Sequence, residues 1–462
     1  MYYQWRDKQA WKTFGIDISS PSDEACKLFD INVNQLVRFC NDEALGGLTT
    51  TTTKMFEADP DFIMGHVFQK GLAILSPNQN LLGNTSFQEE VKQLKELSKA
   101  ATVTPWEALH VDAIECGAKG DLLGACKIWQ DILVETPLDI LALKLSQFAN
   151  YYLGKTPQLL HPVGSVLCHW TPSVPNHGYV HSMMAFGLEE NNMYEEAVKE
   201  ADQSLAINKI DIWASHAKGH VWEMQGEFEK GIDYFDKTEK DWSSCDMLAY
   251  HVYWHWAVYH IEKGDYASAM EIYKRGIHPD VAGFIAIKDS ASFLYRLGLE
   301  DIDCSKEWKA VFDVCRSHTE DHFFMFQDIH ILMALLSADE TKIAQEFTHS
   351  MTSGSVPTSK YFLKILEEVG KAVCEALVAY KEGDYAEVVE LLMPIQFQLR
   401  EVGGSNAQRD VLNLLLIVAA MKSPREHHQK FARYLLNERK AMRKNSPLTD
   451  RLILRSSVKT TN

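Results

Sequence analysis

Three observations in the sequence predict an all-α chain: a tetratricopeptide-type α-solenoid of stacked antiparallel helical hairpins. The first is a turn that recurs between Gly178 and Asp280. Met193-Tyr194-Glu195-Glu196-Ala197, Gly226-Glu227-Phe228-Glu229-Lys230-Gly231 and Gly264-Asp265-Tyr266-Ala267-Ser268-Ala269 each open the second helix of a hairpin. The second is a complete 34-residue frame from Trp106 to Asp139, with Ala113, Gly120, Ala125, Trp129 and Pro137 at its diagnostic places. Small residues there let paired helices approach, and Trp129 fills the space beside them. The third is length, since 462 residues exceed what one growing core accommodates.

Taken in order, the expected organisation is a single solenoid over residues 1–462. N-terminal hairpins occupy 1–105, the best-formed repeats 106–281, divergent hairpins 282–368, and a C-terminal repeat with basic capping helices 369–462. The first clear helix is predicted to start at Ser20-Pro21-Ser22-Asp23, with Ser20 as cap and Pro21 at the first helical position. The threonine run Thr49 to Thr53 reads as a surface loop or a poor helix start. Pro157, Pro162, Pro172 and Pro175 predict a bent helix and a loop. From Gly178 the frame resumes with Ala185 and Ala197, then Gly219, Gly226, Gly231 and Phe235, with an insertion between Trp242 and Ala249. Two positions depart from the repeat pattern, Gly231 where alanine is usual and Lys209 where proline is usual. The turn returns at Gly383-Asp384-Tyr385-Ala386. Gly403-Gly404 with Ser405 and Gln408 reads as a helix end followed by a capping box; no strand precedes it, as a phosphate loop would require.

Composition narrows the function classes. Hydrophobic residues make up 46% and charged residues 24%, the balance of a folded chain. The net charge of -17 disfavours nucleic acid and anionic membranes as partners. Charge is uneven, however. Lys430 to Arg455 carry eight Lys or Arg against Glu438 and Asp450, so this end is about +6 and the remainder about -23. A basic helix lying on its own acidic solenoid, or solvated, is the expectation. Nine cysteines without a C-x-x-C pair read as reduced, mostly buried thiols. No signal-peptide pattern or eighteen-residue apolar run occurs, which predicts a cytoplasmic protein that does not cross a membrane.

Several longer strings are more specific than the repeat pattern. They are Glu24-Ala25-Cys26-Lys27-Leu28-Phe29-Asp30, Ala58-Asp59-Pro60, Met64-Gly65-His66, Tyr253-Trp254-His255-Trp256-Ala257, Gly403-Gly404-Ser405-Asn406-Ala407-Gln408-Arg409-Asp410 and Asn445-Ser446-Pro447-Leu448-Thr449. Through them the chain resembles the tetratricopeptide repeat protein 38 family over nearly its whole length. The resemblance implies an intracellular all-helical solenoid. It implies no activity, cofactor or binding residue, so the site must be argued from these side chains alone.

Eighteen histidines are present, and several share helix faces. His216, His220 and Glu223 follow one another at i, i+4 and i+7. Gly219 and Trp222 mark the pairing stripe of that helix, so Trp213, His216, His220 and Glu223 are predicted to face a concave groove. His251 and Trp254 take the equivalent places in the neighbouring unit, with His255 one step around. These six residues are the candidate binding surface for an extended peptide or partner helix. His66, His110 and His181 are further groove candidates, and His322 and His330 read as structural.

A non-enzymatic interaction protein is therefore expected, with no cofactor, a protein or peptide partner, and self-association possible through solenoid ends. The alternative is a metal-dependent hydrolase with His216, His220, Glu223 and His251 as ligands. H-x-x-x-H alone is a weak metal signal, and the general base of an H-E-x-x-H motif is missing.

Overall fold

Thr104 accepts a hydrogen bond from the Glu107 backbone while the Glu107 side chain accepts from the Thr104 backbone, and Pro105 supplies a pre-set first residue, so a helix starts there. It runs Pro105–Ala118 and ends at Gly120, whose φ of +78° favours glycine. Asp121 then accepts from the Gly124 N–H at 2.8 Å and opens Leu122–Glu135. Ala113, Ala125 and Trp129 are fully buried, as the frame requires. The same device recurs: Gly264 turns at φ +85° before capping Asp265, and Gly383 at φ +82° before capping Asp384.

The structure is a computed structural model that describes residues 4–76, 80–279 and 286–458. Among these residues all regular structure is helical, and successive helices pack on their chain neighbours as in an all-α solenoid. The expected division at 281/282 lies outside the described residues. Two compact units emerge. The first comprises 1–217, 241–248 and 357–361, and the second 218–240, 249–356 and 362–462.

In the first unit Pro105–Ala118 packs on Leu122–Glu135, and that helix on Ile140–Tyr152. His177–Glu190 packs on both Thr156–Val166 and Tyr194–Ile207. Ala185, Ala201, Ala214 and Ala217 form a fully buried cluster, where the absence of bulk permits close helix approach. Pro162 lies inside Thr156–Val166, which passes into a 3-10 turn, in keeping with the expected bend.

Two local expectations are corrected here. Ser22, not Ser20, caps the helix Asp23–Arg38, accepting from the Ala25 N–H at 3.1 Å. The Ser20 hydroxyl is engaged elsewhere, donating to Asp59 at 2.5 Å. Of the two readings of the threonine run, the loop is overturned and the helix start stands, since Thr49 to Thr53 fall in the first two turns of the helix Gly47–Ala58. Buried Thr51 donates to Asn32 at 2.5 Å and accepts from Gln35 at 3.1 Å, and these tertiary bonds override poor threonine propensity.

In the second unit, Ile287–Leu299 packs on Ser305–Cys315, Met325–Ser337 and Asn406–Lys422. Asn406–Lys422 is followed in sequence and space by Glu426–Met442, and that by Pro447–Val458. The capping box of Ser405 and Gln408 is present as expected. Gly231 stands where alanine is usual because Tyr259 crosses it: a Cβ there would sit 2.2 Å from the ring. All nine cysteines are free thiols. Among the described residues no helix is long and apolar enough to cross a membrane.

Candidate functional site

The pairing stripe of the helix Ile212–Gln225 is where the frame places it. A Cβ on Gly219 would meet Phe235 at 2.7 Å, and Trp222 lies edge-on to Tyr234 at 5.0 Å. The opposite face was expected to be an open groove, and there the structure differs. His220 and Trp254 are 0% exposed, His216 is 3% and Glu223 is 7%. Trp213 is likewise buried, and the His251 side chain is 13% exposed. These six residues belong to the interior.

For Glu223 the reason lies at the far end of the chain. Asp410 on Asn406–Lys422, with Arg439 and Arg443 on Glu426–Met442, reaches the Glu223 side of the helix. Together with Glu262 and Arg296 they wall a cavity of about 20 Å³, room for a single water. Three guanidiniums thus face three carboxylates. Arg439 pairs with both oxygens of Asp410 at 2.6 and 2.9 Å, and Arg443 adds a contact at 3.1 Å. Burial raises Asp410, but Arg439 and Arg443 outweigh it and hold the carboxyl well below its ordinary range. Arg296 donates to the Ala407 carbonyl at 2.7 Å, and burial draws its pKa down to about 10. Glu262 accepts from the Ser446 hydroxyl at 2.6 Å and from the Leu448 N–H at 3.0 Å.

Beside this layer lie three histidines. The ligand-capable nitrogens of His220, His251 and His255 fall within 4.8 Å of one another. The His220 and His255 rings are 4.4 Å apart, and His251 and His255 4.7 Å. His255 Nδ1 bonds Glu223 at 2.7 Å, and His251 Nδ1 bonds Asp289 at 3.0 Å. Burial pushes Glu223 up, with Arg296 and Arg443 opposing. Burial also acts to raise Asp289, yet His251 brings it below its usual value. Gln408, a member of the capping box, donates to the second Asp289 oxygen at 3.4 Å. Trp254 stacks on His251 at 5.2 Å with rings 10° apart, and Arg296 lies 5.1 Å from its centroid.

Glu223, expected as a ligand, is instead a partner of His255, which the sequence reading placed one step outside the set. His216 and Trp213 belong to the first unit, where the His216 ring packs 5.7 Å from Phe186 and 5.8 Å from Trp213. Trp213 covers the Lys144 ammonium at 3.6 Å, with Phe148 at 4.6 Å. Lys144 is fully buried, and burial lowers its pKa to about 7, with Asp211 opposing. The other histidines singled out in the sequence have structural partners: His110 bonds Asp139 at 2.7 Å, His66 the Pro60 carbonyl at 2.8 Å, and His181 Glu200 at 2.7 Å. His322 bonds Asp328 and Ser350, and His330 the Phe326 carbonyl.

Sequence reasoning missed Asp289, Arg296, Asp410, Arg439, Arg443 and Lys144 as interior groups. A signal existed, because Lys144 sits within Leu141-Ala142-Leu143-Lys144-Leu145 and Arg296 within Phe293-Leu294-Tyr295-Arg296-Leu297, and Arg439 and Arg443 stand one turn apart. No protein-family model matches the chain.

Proposed function

We propose that this chain is a tetratricopeptide-type repeat scaffold, of the kind its resemblance to the tetratricopeptide repeat protein 38 family implies. Its partner is a cationic protein segment or peptide, held on the acidic outer surface. The carrying observation is the fate of the basic C-terminal end. Arg439 and Arg443 are spent on Asp410, Arg451 and Arg455 on Glu300, Lys440 on Asp450 and Lys430 on Glu426. With these cations neutralised within the fold, the net charge of -17 is left as an acidic excess. Such a surface attracts basic segments and repels polyanions.

The six interior residues are not the contact surface in this reading. The hydrolase alternative is weakened by the same burial, because substrate must reach the metal and His220 is 0% exposed. Calorimetric titration with a Lys/Arg-rich peptide and an Asp/Glu-rich peptide of equal length tests the proposal. The basic peptide is expected to bind with an affinity that falls as salt rises. Binding of the acidic peptide, or salt-independent binding of the basic one, would contradict it. Light scattering across concentration separates partner binding from self-association.

A further inference from the structure

Imidazoles gathered in an interior need a reason to be together, because each brings a polar ring that must be satisfied. We infer that His220, His251 and His255 form a buried centre for a divalent transition metal of the zinc class, in the second unit of the chain. The inference does not depend on the scaffold reading.

Convergence is the first argument. Three ligand nitrogens lie within 4.8 Å of one another, against ~3.3 Å between ligands around a tetrahedral ion with bonds of ~2.0–2.1 Å, so the rings would draw together on an ion to close the site. Orientation is the second. Glu223 and Asp289 each accept from an Nδ1–H, which fixes the tautomer and makes Nε2 the lone-pair nitrogen of His255 and His251. Carboxylates behind the ligands also raise ligand basicity and offset part of a dication's charge. Donor class is the third: an all-imidazole set suits zinc, copper, nickel or cobalt and discriminates against magnesium and calcium. Burial gives the role. His220 and His255 are 0% exposed, so the ion would tie the Ile212–Gln225 helix to the Asp246–Lys263 helix rather than meet substrate.

The test uses the full-length protein. After dialysis against a chelator, zinc chloride is titrated by calorimetry and the melting temperature is followed with and without zinc. One equivalent bound, with a melting temperature that rises on zinc addition and falls on chelation, is expected. Glu223→Gln keeps the shape of the side chain and removes its charge, and is expected to weaken zinc binding by ~10–100-fold. His427→Ala, which removes an exposed member of the separate set of Glu390, His427 and buried His428, is expected to change neither readout. Cobalt(II) in place of zinc should show the visible bands of a tetrahedral ion. A parent protein that neither binds zinc nor shifts its melting temperature overturns the inference. Full retention of zinc by the His251→Ala/His255→Ala variant does so too. Should that variant fail to fold, the parent protein and Glu223→Gln still decide.

Discussion

Arg439 holds Asp410 through both ends of its guanidinium, and Arg443 shares one of the same carboxylate oxygens. Removing the carboxylate would leave two buried cations without their counter-charge, and breaking such a pair costs about 3–5 kcal/mol. Asp410→Ala is therefore expected to lose that much in urea unfolding at neutral pH. The acid limb follows from the sign of the shift. The Asp410 carboxyl is depressed in the fold, so its contribution is fully present above the ordinary aspartate value of ~3.9 and is lost as pH falls below it. Asp410→Asn should show a flatter loss of stability as pH falls below ~4, measured by the same unfolding series.

Lys144 gives a slope of the same sign in a different pH window. Its folded pKa is about 7, against ~10.4 for an unfolded lysine. Between these values the unfolded chain holds the extra proton, so this group makes stability rise with pH. Among the described residues its ammonium has no hydrogen-bond acceptor, only the faces of Trp213 and Phe148. Lys144→Met is expected to stabilise the protein by ~1–4 kcal/mol near pH 7. It should also remove this rise between pH ~7 and ~10, read by chemical denaturation at several pH values.

Trp254 distinguishes an interior from a groove. If it lined an open binding face, Trp254→Ala would remove partner binding and leave the melting curve in place. The ring is fully buried between His251, His255 and Arg296, so the expected effect is a loss of about 3–5 kcal/mol in thermal or urea unfolding.

Gly231 and Tyr259 form a knob and its hole. The Tyr259 hydroxyl donates to the Gly219 carbonyl, so the ring is pinned and cannot swing away from an added methyl. Gly231→Ala should cost ~1–3 kcal/mol by overpacking, in contrast to the gain expected for glycine to alanine in an open helix. Gly231→Ala/Tyr259→Leu is expected to recover part of that loss, and a double-mutant cycle of unfolding free energies measures the coupling.

The glycine turns at Gly120, Gly264 and Gly383, the burial of Ala113, Ala125 and Trp129 and the Ser405-Gln408 cap were legible because each depends on neighbours in sequence. Gly219 was correctly placed on the pairing stripe for the same reason. What the frame could not supply was the cover over the other face. Over Glu223 it comes from Asp410, Arg439 and Arg443, about 190 to 220 positions away, and no local period encodes such a contact. The +6 at that end was legible as charge, but its use as the wall of an interior follows only from the packing of Glu426–Met442. His255 was passed over because groove places were assigned by strict repeat register. Three-dimensional convergence instead selects the ring one step around the Asp246–Lys263 helix.

X-ray absorption at the zinc edge of the reconstituted 462-residue chain reads the His220, His251 and His255 centre itself. Three imidazole nitrogens at ~2.0–2.1 Å from the ion are expected, with one nitrogen lost in His255→Ala. A shell of sulfur at ~2.3 Å, or one of water and carboxylate oxygen alone, would contradict it.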